Sequence, residues 1–152
     1  MEVFIAYSKE EQIRILEQTM AAWAECDLVE PVGIRAPEGK YEMVRRIAAD
    51  NMAEGNYYIL ADLGCVPGAG FQVPELMKRI GSGGAAALIG LGKAGRELEF
   101  PTGVRICRKG AVARWIPKKS DSYDQEHAEA VKLAGRDVTI WTDMKYRHLL
   151  EC

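Results

Sequence analysis

The sequence predicts a single three-layer α/β domain, residues 1–152, built on a mostly parallel sheet. Three observations carry that prediction. Strand-length apolar runs alternate with amphipathic helical segments in the order β-α-β-α-β over about the first sixty residues. One run, Tyr57-Tyr58-Ile59-Leu60-Ala61, carries no charge on either face, as a strand covered on both sides requires. A chain of 152 residues is also long enough for one such domain to bury about two-thirds of its unfolded surface.

Val3 to Tyr7 is the first buried strand, and Ser8 is placed to cap a helix with Glu10 and Glu11 in its first turn, where the dipole favours acids. Ile13, Leu16, Met20 and Trp23 recur at helical spacing, so the helix runs from about Lys9 to Glu25. Leu28 to Ile34 is a shorter strand, and Pro31 sends it to a sheet edge because proline cannot donate to a ladder. After the Pro37-Glu38-Gly39 loop a second helix spans Tyr41 to Ala53, with Met43, Val44, Ile47 and Ala48 toward the core and Gly55 as its C-terminal cap. The Tyr57 strand follows and stops at Asp62-Leu63-Gly64, ahead of a turn at Val66-Pro67-Gly68.

Further on, Pro74 to Ile80 is a short helix closed by Gly81-Ser82-Gly83-Gly84, and Ala85 to Leu91 is an apolar strand. Val104 to Arg108 alternates apolar and polar, the pattern of a half-buried strand. Asp124 to Ala134 is a third main helix ending at Gly135, Val138 to Trp141 is a last strand, and Asp143 to Cys152 is a polar tail.

Composition narrows the function classes. A net charge of −2 gives no basis for a nucleic-acid-binding face, and no nucleic-acid partner is expected. The N-terminus lacks a basic segment followed by a long apolar run, so neither a leader nor a membrane span is expected. Cys26, Cys65, Cys107 and Cys152 are scattered without a C-x-x-C pair, which favours reduced thiols in a cytoplasmic protein. There is no phosphate-binding G-x-x-x-x-G-K-[ST] loop, no G-x-G-x-x-G between a strand and a helix, and no G-x-S-x-G elbow.

Asp62 is the first candidate for chemistry. In open α/β sheets, ligands bind beyond the carboxyl ends of the strands, and Asp62 falls where the apolar run ends. A carboxylate there suits a metal ion or a sugar hydroxyl; it equally suits the capping of the next turn.

The segment Arg45-Arg46-Ile47-Ala48-Ala49-Asp50-Asn51-Met52-Ala53-Glu54-Gly55-Asn56 through Asp62 resembles the core of GT-A-fold glycosyltransferases, in particular the inverting family-2-like kind. Arg46 falls at the family arginine, Ala53-Glu54-Gly55 at its A-x-G and Asp62 at the first acid of its D-x-D, with Gly64 in place of the second acid. Thr102 to Lys109 is similar to the strand under the acceptor site, Tyr123-Asp124-Gln125-Glu126-His127 to the catalytic acid stretch, and Val138 to Trp141 followed by His148 to the terminal strand and metal-site histidine.

The resemblance implies the nucleotide-diphospho-sugar transferase fold and metal-assisted, inverting transfer from a nucleotide-sugar donor to an acceptor the sequence does not name. It implies Asp62 and His148 as ligands of Mn²⁺ or Mg²⁺, and Tyr7, Arg45, Arg46 and Asp62 as donor-binding residues. Asp124 and Glu126 are then the candidates for the catalytic base. The alternative is a GT-A-like binding module that has lost donor turnover, favoured by Gly64 and by the short stretch between the second strand and the Arg45 helix.

Overall fold

The computed structural model describes residues 1–55, 57–80, 85–90, 103–109 and 138–149. Seven described strands form one sheet: β1 Glu2–Tyr7, β2 Glu30–Arg35, β3 Tyr57–Ala61, β4 Cys65–Pro67, β5 Ala85–Gly90, β6 Val104–Arg108 and β7 Val138–His148. The described helices are α1 Ile13–Ala24, α2 Tyr41–Met52 and α3 Val73–Ile80. Spatial order is β2-β1-β3-β6-β5-β7-β4. β1, β2 and β3 are mutually parallel, as are β5 and β7, while β6 and β4 run antiparallel to their neighbours, so the sheet is mixed and mostly parallel.

The order places a topological switch point between β1 and β3. The chain leaves β1 toward β2 through α1, then returns through α2 to pair β3 on the other side of β1. The two connections carry their helices to opposite faces. Leu16 and Trp23 of α1, with Val73, Leu76 and Ile80 of α3, pack on Val3, Ile5, Ile59 and Ala61. Ala49 and Ala53 pack on Phe4, Tyr58 and Leu60 on the other face. Every residue of β3 is buried, because successive side chains point into one core and then the other. Trp23 meets Phe71 edge-to-face at 5.3 Å between ring centroids, and Phe4 meets Tyr58 likewise at 5.8 Å.

Several sequence expectations are corrected here. Helix α1 begins at Ile13 behind a 3-10 turn at Glu10–Gln12 that Lys9, and not Ser8, precedes. The Gln12 carboxamide accepts the Ser8 and Lys9 amides at 2.7 and 3.2 Å and so performs the capping. Ile13 is exposed, and Thr19 takes its place among the buried α1 residues. On α2 the inward face is Glu42, Arg45, Arg46 and Ala49, while Ile47 lies exposed. Cys65–Pro67 is a short strand where a turn was expected. β6 is buried on both faces, Arg105 included, where a half-buried strand was expected. The last strand does not stop at Trp141 but continues to His148, which brings Asp143 to His148 of the expected polar tail into the sheet.

The edge placement of β2, the span of β3 and the α3 helix agree with the sequence. Cys26, Cys65 and Cys107 are free thiols, and burial pushes Cys107 up to about 12. Among the described residues no helix is long and apolar enough to cross a membrane. The expected helix Asp124 to Ala134 and the Gly81-Ser82-Gly83-Gly84 stretch lie outside the described residues.

Candidate functional site at the carboxyl edge of the sheet

Asp62 follows the last residue of β3 and stands at the switch point. Its backbone is held twice: its amide donates to the Gly103 carbonyl at 2.6 Å, and its carbonyl accepts the Cys65 amide at 2.9 Å, closing a tight turn over Asp62–Cys65. α1 buttresses this turn from one face. The buried Thr19 hydroxyl accepts the Gly64 amide at 3.0 Å and donates to the Ile15 carbonyl at 2.6 Å. The Trp23 indole donates to the Cys65 carbonyl at 2.8 Å.

From the other face α2 supplies a charged constellation. Arg45 Nη1 donates to the Ala61 carbonyl at 2.6 Å and to Asp62 Oδ1 at 3.1 Å. Its Nη2 pairs with Glu42, and the second Glu42 oxygen pairs with Arg105 of β6. Glu42, Arg45 and Arg105 are each at most 3 % exposed. Burial pushes the Glu42 carboxyl upward, but Arg105 and Arg45 outweigh it and hold Glu42 down at about 2. Two guanidinium groups thus meet two carboxylates, Glu42 and the partly exposed Asp62, and the cluster's formal charge cancels, as the burial of three of these ions demands. Beside it, Arg46 lies 3.6 Å from Asp50, whose other oxygen accepts the Tyr58 hydroxyl at 2.8 Å.

Asp62 is the member of the constellation that reaches solvent, with 32 % of its side chain exposed. A carboxylate accepts about four hydrogen bonds, so one guanidinium contact leaves capacity for a ligand. His148 ends β7, in register with Cys65, and its ring lies against Gly64, two residues beyond Asp62. Tyr7 ends β1 at the same edge, where Ser8 Oγ lies 2.7 Å from the Tyr41 hydroxyl across the switch point.

The fold therefore places Tyr7, Asp62 and His148 at one edge of the sheet, with Arg45 of α2 bonded to Asp62 and the His148 ring against Gly64. Arg45 and Arg46 are buried and ion-paired toward Asp62 and Asp50, and Asp124 and Glu126 lie outside the described residues. Sequence reasoning missed Glu42, Thr19, Tyr41 and Arg105. Glu42 and Arg45 did carry a signal, an acid–base pair at i,i+3. A cavity of about 750 Å³ between the end of α1 and the start of α3, lined by Cys26, Leu28, Phe71 and Val73 among others, shares no residue with this edge.

A carboxylate and an imidazole are ligand types that Mn²⁺ accepts, whereas Mg²⁺ favours oxygen alone. Mg²⁺ and Mn²⁺ commonly take one or two protein ligands and complete their shell with waters and substrate phosphates. Among the described residues no three His, Cys, Asp or Glu side chains gather into a metal cage.

Solved structures share this architecture. A197 from STIV superposes with a TM-score of 0.66 at 8 % identity, over 99 % of this chain and 85 % of that one. A glycosyltransferase involved in the glycosylation of the major capsid of PBCV-1 superposes with a TM-score of 0.62 at 10 % identity, over 99 % and 93 %. The fold is GT-A-like. The inositol-1-phosphate CTP transferase from T. maritima shares it more loosely, with a TM-score of 0.55 at 10 % identity over 99 % of this chain and 89 % of that one. No protein-family model and no curated protein matches the sequence. At these identities the likeness extends to the fold alone.

Proposed function

We propose that this chain is a transferase that takes a sugar from a nucleotide-sugar donor to an acceptor hydroxyl with inversion, assisted by Mn²⁺ or Mg²⁺. The observation that carries this is the placement of Asp62, the solvent-reaching carboxylate of a buried ion cluster, at the switch point of a GT-A-like sheet. Asp62 and His148 would hold the cation. The cation, when bound, supplies positive charge for the diphosphate that leaves.

The protein's own part is orientation. Arg45 and the Asp62–Cys65 turn fix the carboxylate, and the backbone at Tyr7 and Ser8 borders the crevice on the β1 side. In the transfer the acceptor oxygen bonds to the anomeric carbon as the bond to the diphosphate oxygen breaks. The acceptor proton passes to a carboxylate base, for which Asp124 and Glu126 are the candidates. The donor leaves as the nucleoside diphosphate.

The test is a thermal-shift screen of nucleoside diphosphates and nucleotide-sugars with and without Mn²⁺, followed by a nucleoside-diphosphate release assay. A ligand at a hundredfold excess over its Kd adds about 2.7 kcal/mol, or roughly 5–10 °C for a domain of this size. The expected result is a shift that needs both nucleotide and Mn²⁺, disappears in Asp62→Ala and accompanies diphosphate release. No shift with any nucleotide at millimolar concentration overturns the donor site. A shift without turnover, even with varied acceptors, favours the binding module, and loss of release in Asp124→Ala or Glu126→Ala identifies the base.

A further inference from the structure

The cavity of about 750 Å³ where α1 ends and α3 begins takes no part in the site described above. α1 leads from the carboxyl end of β1 to the start of β2, so its end lies at the amino edge of the sheet, opposite Asp62. The Met1 nitrogen ties the loop there by donating to the Leu28 carbonyl at 2.7 Å. Phe71 and Val73, both buried in the core under α1 and α3, give the cavity an apolar wall. Its volume falls in the range of small-molecule sites.

Leu28 also lines it, and its side chain is 68 % exposed. Its φ is +64°, in the left-handed region that a bulky residue rarely adopts. The chain thus holds a large apolar side chain in solvent, on a strained backbone, beside an apolar cavity.

The charge of the cavity has one sign. Glu25 and Asp27 line it, and none of its lining residues is basic. α1 ends there with no base in its last turn, so its free carbonyls add the negative end of the helix dipole. Acids at a helix C-terminus oppose that dipole, and a cation relieves the conflict. The Cys26 thiol, also in the lining, reports the same field: burial, then Glu25 and Asp27, push it up.

We propose that this cavity is a second binding site, for a small organic cation with an apolar body and one ammonium group. The ammonium is held by Glu25, Asp27 and the end of α1, and the body lies against Leu28, Phe71 and Val73. The site is independent of the transferase reading.

The experiment titrates the isotope-labelled full chain by NMR with three probes of one shape: phenethylammonium, phenethyl alcohol and hydrocinnamate. Phenethylammonium is expected to shift the amides of residues 25–28 and 71–73 with a Kd of about 1 mM. The alcohol should bind at least about fivefold more weakly, and the carboxylate more weakly still. No binding of phenethylammonium up to about 10 mM, equal binding of the three probes, or shifts confined to other residues overturns the proposal.

Glu25→Gln combined with Asp27→Asn should weaken phenethylammonium at least about fivefold and leave the alcohol unchanged. Leu28→Gly should weaken both at least about threefold while Tm stays at or above the parent's, because glycine holds this φ without strain. Unchanged affinity in either variant overturns the proposal, and a clear fall in Tm for Leu28→Gly would make Leu28 a packing residue and remove it from the site. Binding of a capped Phe-Lys-Phe peptide at least about tenfold tighter than the free amine would assign the cavity to a partner's basic segment and overturn the small ligand. Dimerisation of the parent in sedimentation, lost in Leu28→Gly, would assign it to a second copy and overturn the small ligand as well.

Discussion

At Glu42 a carboxylate lies buried between two guanidinium groups, and its chemistry there fixes a pH dependence. Its folded pKa of about 2 lies below the ordinary 4.5. The stabilisation is therefore fully present above about pH 4.5 and is lost as pH falls toward 2. At about 1.4 kcal/mol per pH unit, the loss is on the order of 3 kcal/mol. Acid titration of Tm should show this decline in the parent. Glu42→Gln should start lower by about 3–5 kcal/mol, because Arg45 and Arg105 then face a neutral amide, and should decline less over the same window. A parallel decline in the two proteins would refute the assignment. Thr19 offers a second residue-scale test. Thr19→Val removes the acceptor of the Gly64 amide and should cost about 1–3 kcal/mol by denaturant unfolding, while Thr19→Ser, which keeps the oxygen, should lose clearly less.

At the scale of the element, α2 shows how a correctly placed helix can be rotated from the face its apolar residues suggest. Its bounds, Tyr41–Met52, agree closely with the sequence pattern, yet Ile47 points outward while Glu42, Arg45 and Arg46 point in. Hydrophobic burial alone would turn Ile47 inward. The ion cluster wins because Arg45 finds two acceptors at the end of β3 and Glu42 finds Arg105 on β6. The consequence is measurable: Ile47→Lys should change stability by no more than about 0.5 kcal/mol. A loss above about 2 kcal/mol, the mark of a large apolar residue removed from a core, would mean the helix faces the other way. β7 fails differently in the sequence. Val138 to Trp141 announces a strand, but Lys145, Arg147 and His148 read as a tail, although pairing with β4 keeps that stretch in the sheet.

At the scale of the molecule, β3 is the common wall of two cores. Val3, Ile5 and Ile59 belong to the core under α1 and α3, and Phe4, Tyr58 and Leu60 to the core under α2. A cavity in this strand is felt by the whole sheet. Ile59→Ala, at a fully buried position, should cost about 2–5 kcal/mol and lower Tm by roughly 5–15 °C in a single cooperative transition. A loss below about 1 kcal/mol would show that β3 is not the central element. The same centrality places the candidate site: an acid that follows a fully buried strand emerges at the switch point between β1 and β3, where the two crossovers diverge.

The sequence by itself determined β1, β2 and β3, the edge position of β2, the extents of α2 and α3, and Asp62 at a strand's carboxyl end. These rest on local causes: a doubly covered strand must be apolar on both faces, a proline cannot donate to a ladder, and a strand stops where its apolar run stops. Tertiary structure decided which face of α2 turns inward, that Arg105 is buried, and that Gly64 carries the His148 ring. An ion enters a core only beside its counter-ion, and a glycine is required only where another chain segment presses on it. Arg105 lies sixty-three residues from Glu42, and His148 is still farther along the chain from Gly64 than that. Strand order brings each pair together, and no local pattern encodes it.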